Sequence, residues 1–414
     1  MRTESDMQRV ILHCDCNNFF ASVETVLDPS YRGVPMAVCG NEEERHGIVL
    51  AKNELAKKYG IKTAETVYSA KKKCPGLVIA KPHYEAYSEY SRRVNDIYAR
   101  YTDMIEPFGI DESWLDVTAS RKLFGDGETI ANRIRREVKE ELGITVSVGV
   151  SFNKVFAKLG SDYKKPDAVT VISEDNFKKI VYPLPVGDML FIGSRTCAEL
   201  SAIGVRTIGA LAETSRELLV AKFGKMGGMM HKYANGLDDS PVARIGEHED
   251  AKSIGSGFTF KHDLTSRDEW RVGLSHLCED VARRLRSGGF KCSTVQLTVK
   301  DEYLRVIQRQ RPAKPETDLA REILEVAFSI LSDEWQEGRP IRMLTVTATG
   351  LVGSEFACEQ LDFFGDVDTN KRDKEKKREE TVDKIRQKFG ASSIINGGII
   401  GSDLGIKSPK SRDR

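Results

Sequence analysis

Two stretches, VILHCD (residues 10–15) and IEPFGIDESWLDVT (residues 105–118), decide how this chain folds. The first is a short apolar run ending in an acid, the pattern of a buried strand that delivers a carboxylate at its C-terminal end. The second divides into β-like runs at 105–110 and 114–118, joined across Asp111-Glu112-Ser113. Residues 128–141 then carry helical periodicity through Ile130, Ile134, Val138 and Leu142, with Gly143 placed to end the helix. TVSVGV (145–150) is rich in β-branched residues and reads as another strand. The order strand, helical insertion, strand, strand, helix, strand is the ferredoxin-like βαββαβ pattern. Residues 19–83 form the insertion.

Composition bounds the rest. A chain of 414 residues is long enough for about three domains. With 40% hydrophobic and 30% charged residues it reads as globular, not disordered. No apolar run approaches the roughly 18–20 residues that span a bilayer, and the run at 10–12 is too short for a signal-peptide core. The expectation is a cytoplasmic protein with no membrane partner. Eight cysteines without a CxxC pair fit free thiols in a reducing compartment, not a disulfide framework or a zinc site. The net charge is +1, so any nucleic-acid surface must come from local patches.

Further along, residues 184–234 switch to short helical segments punctuated by Gly193, Gly204, Gly209, Gly224 and the pair Gly227-Gly228. Residues 236–250 read as a polar linker. Residues 252–350 repeat the earlier pattern: strand, helix (267–287), strands (293–300 and 303–310), helix (316–335), strand (342–349). KRDKEKKREE (371–380) leads into an amphipathic stretch through Val382, Ile385 and Phe389, and the chain from Gly397 onward reads as frayed.

Asp15, Asp111 and Glu112 carry the chemistry. In a ferredoxin-like sheet the first strand lies beside the strand that begins at 111–112, so the three carboxylates converge at one sheet edge. Clustered carboxylates repel one another unless divalent cations neutralise them, and Mg²⁺ favours carboxylate oxygens together with substrate phosphates. Taken alone, acids at strand ends are also ordinary turn and cap residues. Asn17-Asn18-Phe19-Phe20 follows directly and opens a helix whose backbone N–H groups would suit a triphosphate. One of the two aromatics could lie under the sugar of a nucleotide, where a phenyl ring leaves no room for a 2′-hydroxyl. Lysines recur at 52, 57, 58, 154, 158, 164 and 165, most of them read as solvated.

Five segments then combine in order: HCDCNNFFASVE (13–24), AKNELAKKYGIKTA (51–64), IEPFGIDESWLDVT (105–118), VSVGVSFNKVFAKLGSDYKKP (146–166) and KSIGSGFTF (252–260). Together they resemble the motifs of the Y-family translesion DNA polymerases, in the DNA polymerase IV (DinB) branch, over residues 7–365. Residues 1–6 would be an extension. The resemblance implies a multi-domain α+β right hand. Its palm would span 1–18 and 84–170, the fingers 19–83, the thumb 171–240, a linker 241–251 and the little finger 252–355. A charged tail with a helix would occupy 365–414.

It implies two catalytic Mg²⁺ ions (Mn²⁺ could substitute) on Asp15, Asp111 and Glu112, with the backbone carbonyl of Cys16 as a further ligand. Phe20 would be the steric gate against ribonucleotides, and Asn18, Phe19, Lys57 and Lys165 would line the nucleotide site. Lys57 and Glu54 depart from the family's usual arginine and tyrosine. A lysine lacks the bidentate fork, and a glutamate would repel phosphate.

DMLFIGSRTCAELSAIGVRTIGAL (188–211) resembles the thumb's helix-hairpin-helix, with Gly193 at the DNA phosphates and Phe191 where a glycine is usual. In the little finger, residues 241–345 hold 17 Lys and Arg against 17 Asp and Glu, so the positive charge must act locally. Arg283, Arg284, Arg286 and Lys291 cluster at one helix end. Arg305, Arg309 and Arg311, odd-numbered on one strand, would share a face along a DNA backbone. Ser253 and Gly255 would add contacts.

Gln360-Leu361-Asp362-Phe363-Phe364 resembles the peptide that binds the bacterial sliding clamp, with Gln360, Leu361, Phe363 and Phe364 as anchors. The implied partners are primer-template DNA, a dNTP and the sliding clamp, acting on a monomer. The implied product is low-fidelity synthesis past damaged bases, with no segment left for a proofreading exonuclease. Two other readings share some of these features. A nucleotidyl cyclase also sets two metal carboxylates on such a palm but needs no thumb or clamp peptide. A catalytically dead DNA- or clamp-binding protein would have no physical need for three clustered carboxylates.

Overall fold

Strand β1 (Ile11–Cys16) is buried along both faces, which is why its sequence reads as a continuous apolar run. The structure is a computed structural model describing residues 8–41, 47–247, 251–355, 369–390, 393–399 and 402–406. The chain divides into two compact units, the first comprising residues 1–40 and 47–248 and the second comprising 41–46 and 249–414.

In the first unit, β1 leads to α1 (Phe19–Leu27). An insert follows, made of β2 (Met36–Cys39), β3 (Val49–Lys52), α2 (Glu54–Lys58), α3 (Val67–Lys73) and β4 (Val78–Ala80). The chain returns through α4 (Tyr84–Tyr98), β5 (Ile105–Pro107), β6 (Glu112–Asp116), α5 (Arg121–Phe124), α6 (Gly127–Leu142), β7 (Val146–Ser151), α7 (Lys154–Tyr163) and β8 (Val169–Ile172). The five palm strands order as β5-β6-β1-β7-β8, and the insert forms its own sheet, β3-β2-β4. β1 is antiparallel to both β6 and β7, as the ferredoxin-like reading expects.

Alternation along β1 assigns its two faces. Leu12, Cys14 and Cys16 enter the core built with Ile130, Ile134 and Val138 of α6. Ile11, His13 and Asp15 take the other face, where α7 lies. Gly149 on β7 admits that helix: a Cβ there would stand 1.8 Å from the Ala157 carbonyl oxygen. The close approach sets the lysines of α7 over the sheet.

Short helices α8 (Phe177–Val181), α9 (Ser194–Ser201), α10 (Ile208–Glu213), α11 (Arg216–Phe223) and α12 (Lys225–Ala234) follow. Gly227 and Gly228 do not end a helix, as their pairing suggested, but lie inside α12. A Cβ on Gly227 would sit 2.0 Å from the Leu219 carbonyl oxygen, so this glycine serves helix–helix contact. The expected linker is also not free at its start: Val242 is buried, Ala243 N–H donates to Glu106 Oε2 at 2.9 Å, and Ile245 N–H donates to the Asp103 carbonyl at 2.9 Å.

The second unit contains β9 (Ser253–Leu264), α13 (Arg267–Ser287), β10 (Phe290–Lys300), β11 (Val306–Thr317), α14 (Ala320–Glu334), β12 (Ile341–Gly353) and α15 (Thr369–Phe389), with sheet order β11-β10-β12-β9. β11 runs through Thr317, so the helix expected from residue 316 begins at Ala320. A capping box on Ser266 and Glu269 starts α13.

The tail is docked, not frayed, in its described part. Glu379 of α15 accepts the Ala320 N–H at the start of α14, which has no side-chain cap of its own. It also accepts Arg286 Nη1, while Arg286 Nε donates to Asp383 at 2.7 Å. Leu404 and Ile406 complete the core of this unit, and the Leu404 carbonyl accepts Lys261 N–H of edge strand β9 at 3.1 Å. No helix among the described residues is long and apolar enough to cross a membrane.

Candidate active site

Register alone brings two of the acids together. Asp15 and Glu112 are cross-strand partners at the end of the β1–β6 pair, and Cys16 N–H donates to the Asp111 carbonyl at 2.9 Å. Asp111 therefore stands beside the last residue of β1, one position before β6 begins. Each acid meets a different electrostatic fate.

Glu112 is the best compensated. Lys158 of α7 donates to its Oε2, and His13 Nε2 lies 3.2 Å from the same oxygen. Burial alone would raise this carboxyl, but the nearby His13 ring and the Lys158 ammonium outweigh it and hold it down to about 2. Asp15 accepts Lys165 Nζ at 2.7 Å, and the same ammonium also pairs with Asp162. Burial nevertheless keeps Asp15 above its ordinary value, with Lys165 pulling against it. Asp111 has no ammonium at contact distance among the described residues and feels Lys165 only through space. Burial, then the charges of Asp15 and Glu112, push it up to about 6.

Among the described residues, no group of three or more His, Cys, Asp or Glu side chains is spaced to hold one ion as it stands. Asp15 and Glu112 are instead turned onto separate lysines. Those two ammonium groups occupy the role that added cations would take, and Asp111 registers the negative charge left over. The donor set of hard oxygens with unbalanced charge fits divalent cations.

The lysines of α7 depart from the solvated role expected for most of the recurring lysines. Lys154 is 11% exposed and pairs with Glu106, its Nζ 4.5 Å from the Trp114 ring centroid. Lys158 is 19% exposed against Glu112. Neither role was evident from spacing. His13 was findable, since it stands two residues before Asp15 and must share its face. Buried Ser161 meets its other ring nitrogen, Nδ1, at 2.8 Å.

Beside the acids, Asn18 takes a left-handed conformation (φ 49°) and no side chain caps α1. Phe19 is buried in the palm core, so its ring faces away from any open site. Phe20 is only partly buried and stacks face to face on Tyr87, centroids 4.2 Å apart and planes within 11°. The two departures in the insert answer each other: Glu54 accepts Asn18 Nδ2 at 2.9 Å and lies 3.6 Å from Lys57. Glu54 is thus balanced locally and not a bare repelling charge.

Elsewhere, Phe191 adopts φ 68°, keeping the left-handed turn at the position where a glycine was expected. Gly193 is the N-cap of α9 with open space around its Cα. In the second unit Arg305 precedes β11 and lies over Tyr303, so the three arginines do not share one strand. Arg309 pairs with Glu334 and Arg311 with Asp333, both acids at the end of α14. Ser253 and Gly255 face the opposite side of that sheet, paired with Thr349 and Thr347. Gln360, Leu361, Phe363 and Phe364 lie outside the described residues.

Comparison with known proteins gives the family and the fold. Residues 14–162 match the impB/mucB/samB family and residues 251–363 its C-terminal domain. The chain is 48% identical to the DNA polymerase IV of Acetivibrio thermocellus over 400 residues, covering 97% of this chain and 99% of that protein. It is 39% identical to the DNA polymerase IV of Moorella thermoacetica, covering 94% and 97%. A solved Y-family DNA polymerase chimera superposes with a TM-score of 0.72 at 24% identity, over 83% of this chain and 99% of that one, and so shares the fold. The chain therefore belongs to the Y-family of DNA polymerases, in its DNA polymerase IV branch, and is a DNA-directed DNA polymerase.

Proposed function

We propose that this translesion polymerase extends a primer on template DNA by two-metal nucleotidyl transfer, with low fidelity and no proofreading, tethered by the sliding clamp through Gln360, Leu361, Phe363 and Phe364. It would act as a cytoplasmic monomer. The observation that carries the chemistry is the meeting of Asp15, Asp111 and Glu112 at the end of β1 and β6. There Asp15 and Glu112 each bond a lysine and Asp111 bonds none, its carboxyl raised by burial and by the two neighbouring acids.

Asp15, Asp111, Glu112 and the Cys16 carbonyl would hold two Mg²⁺ ions. When bound, such ions lower the pKa of the primer 3′-hydroxyl and neutralise charge on the departing pyrophosphate. The chain's own residues do the remaining work. Glu112 stays ionised at every physiological pH because His13 and Lys158 hold it down. Lys165, shared between Asp15 and Asp162, would be the ammonium that transfers from carboxylate to triphosphate. The uncapped start of α1 would offer N–H groups to the same phosphates, and Phe20 would be the ring against which a 2′-hydroxyl clashes.

In the little finger, Ser253 and Gly255 lie on a sheet face of Thr and Gln side chains that suits uncharged DNA contact. Arg309 and Arg311 would have to leave Glu334 and Asp333 to meet phosphate. Gly193 would offer its backbone to the duplex.

Asp111→Ala and Glu112→Ala should each abolish primer extension while primer-template binding, read by gel shift, survives. Extension retained by either variant rejects the metal assignment.

A further inference from the structure

Phe20 and Glu24 lie one turn apart on α1, and a buried network closes between them. Glu24 is 1% exposed. Its carboxylate accepts the Tyr87 hydroxyl, the His83 backbone N–H at 3.2 Å, and lies 2.9–3.0 Å from His83 Nδ1. Tyr87 is itself fully buried, and its ring is the plate on which Phe20 stacks. Tyr84 meets both rings edge-on, 6.3 Å from Phe20 and 5.8 Å from Tyr87.

The loop is therefore closed: the gate ring rests on Tyr87, Tyr87 is pinned through its hydroxyl, and the pin belongs to the gate's own helix. A tyrosine held only by packing could slide or tilt in its plane. A hydroxyl tied to a charged acceptor gives a stronger, directional restraint, and in a buried site its loss leaves the carboxylate short of a partner.

We infer that Glu24 is a positioning residue for sugar selection: by fixing Tyr87 it fixes the plane and height of Phe20, and so the clearance left for a 2′-hydroxyl. This rests on the reading of Phe20 as the gate. Glu24 touches no substrate and acts only through Tyr87. A ring displaced by a fraction of an ångström changes the clash with one hydroxyl while leaving base pairing and phosphate contacts in place, so the effect falls on the ratio of sugars.

The test is single-nucleotide insertion with matched dNTP and rNTP, reading kcat/KM for each. Phe20→Ala establishes the gate: it should collapse the dNTP preference, and an unchanged preference rejects the gate reading itself. With the gate established, Glu24→Ala and Tyr87→Phe should each reduce the dNTP preference by about tenfold. The double variant should lose no more than the worse single, because both remove one restraint. Tyr87→Phe keeps the ring and the fold, so it remains informative if Glu24→Ala fails to fold. Glu24→Gln, which still accepts the hydroxyl, should recover most of the preference. A purely structural Glu24 would lower both rates together. Preference unmoved in Glu24→Ala and Tyr87→Phe, with Phe20→Ala showing its collapse, overturns the positioning role and leaves the gate standing.

Discussion

Asp111→Asn should make the metal-free protein more stable at the same stroke that removes activity. The carboxyl is raised from 3.8 to about 6 by burial and by its acidic neighbours. Two units at about 1.4 kcal/mol each set an upper bound of about 3 kcal/mol, and water reaching this half-buried site reduces it to about 1–2 kcal/mol. The sign follows from linkage. The folded value exceeds the unfolded one, so below 3.8 both states hold the proton and no penalty exists. Between 3.8 and 6 the unfolded chain releases its proton first and folded stability falls, and above 6 the penalty is complete. Asparagine never ionises and escapes it.

In EDTA at pH 8 the variant should therefore melt about 2–8 °C above wild type, taking about 2–4 °C per kcal/mol for a unit of this size, with a smaller gap at pH 4.5. Added Mg²⁺ should narrow the gap, because wild type gains more from binding. Thermal melts followed by circular dichroism at the two pH values, with and without Mg²⁺, measure all of this. A variant that melts at or below wild type at pH 8 in EDTA, or a gap equal at both pH values, refutes the electrostatic account.

Glu379→Ala should destabilise the second unit by about 2–3 kcal/mol in urea, since it strips both the α14 cap and one partner of buried Arg286. Glu379→Gln, still an acceptor, should cost less than half as much. Replacing Leu361, Phe363 and Phe364 together with alanine should remove stimulation by the sliding clamp and leave distributive synthesis intact. Clamp stimulation that persists in this variant sinks the peptide reading.

Strands and their acids were legible because alternation and a terminal carboxylate are local signals: β1, β6 and α13 fall within a residue or two of their expected bounds. Local signals fail where the partner comes from elsewhere. Nothing near Lys158 in sequence says that Gly149 lets α7 descend onto the sheet until its ammonium reaches Glu112. Arg309 and Arg311 share a face as strand parity requires, but parity does not reveal Glu334 and Asp333 on the helix packed there. Lysine- and glutamate-rich α15 reads only as a charged tail helix, because few of its residues carry the docking, Glu379 above all. Tyr87 gave no sign at all: a tyrosine on an amphipathic helix is ordinary core until Phe20 and Glu24 are seen against it.

The three acids are not equivalent, and the inequality sorts the two lysines. Lys158 is mostly buried, lies 5.3 Å over the Phe108 ring and donates to an acid that also faces His13. Removing it would strand Glu112, so it serves as a fixed counter-charge. Lys165 divides itself between Asp15 and Asp162, and Asp162 is half exposed, so water can replace the lysine there at little cost. Asp15 remains raised even with Lys165 in place, which means its present partner does not satisfy it. Demand for positive charge therefore concentrates on Asp15 and Asp111, next to the Cys16 carbonyl, while Glu112 is largely met by the protein. A cation arriving with a triphosphate would satisfy Asp15 and Asp111 and free Lys165 for the phosphates, whereas Lys158 would have no reason to move.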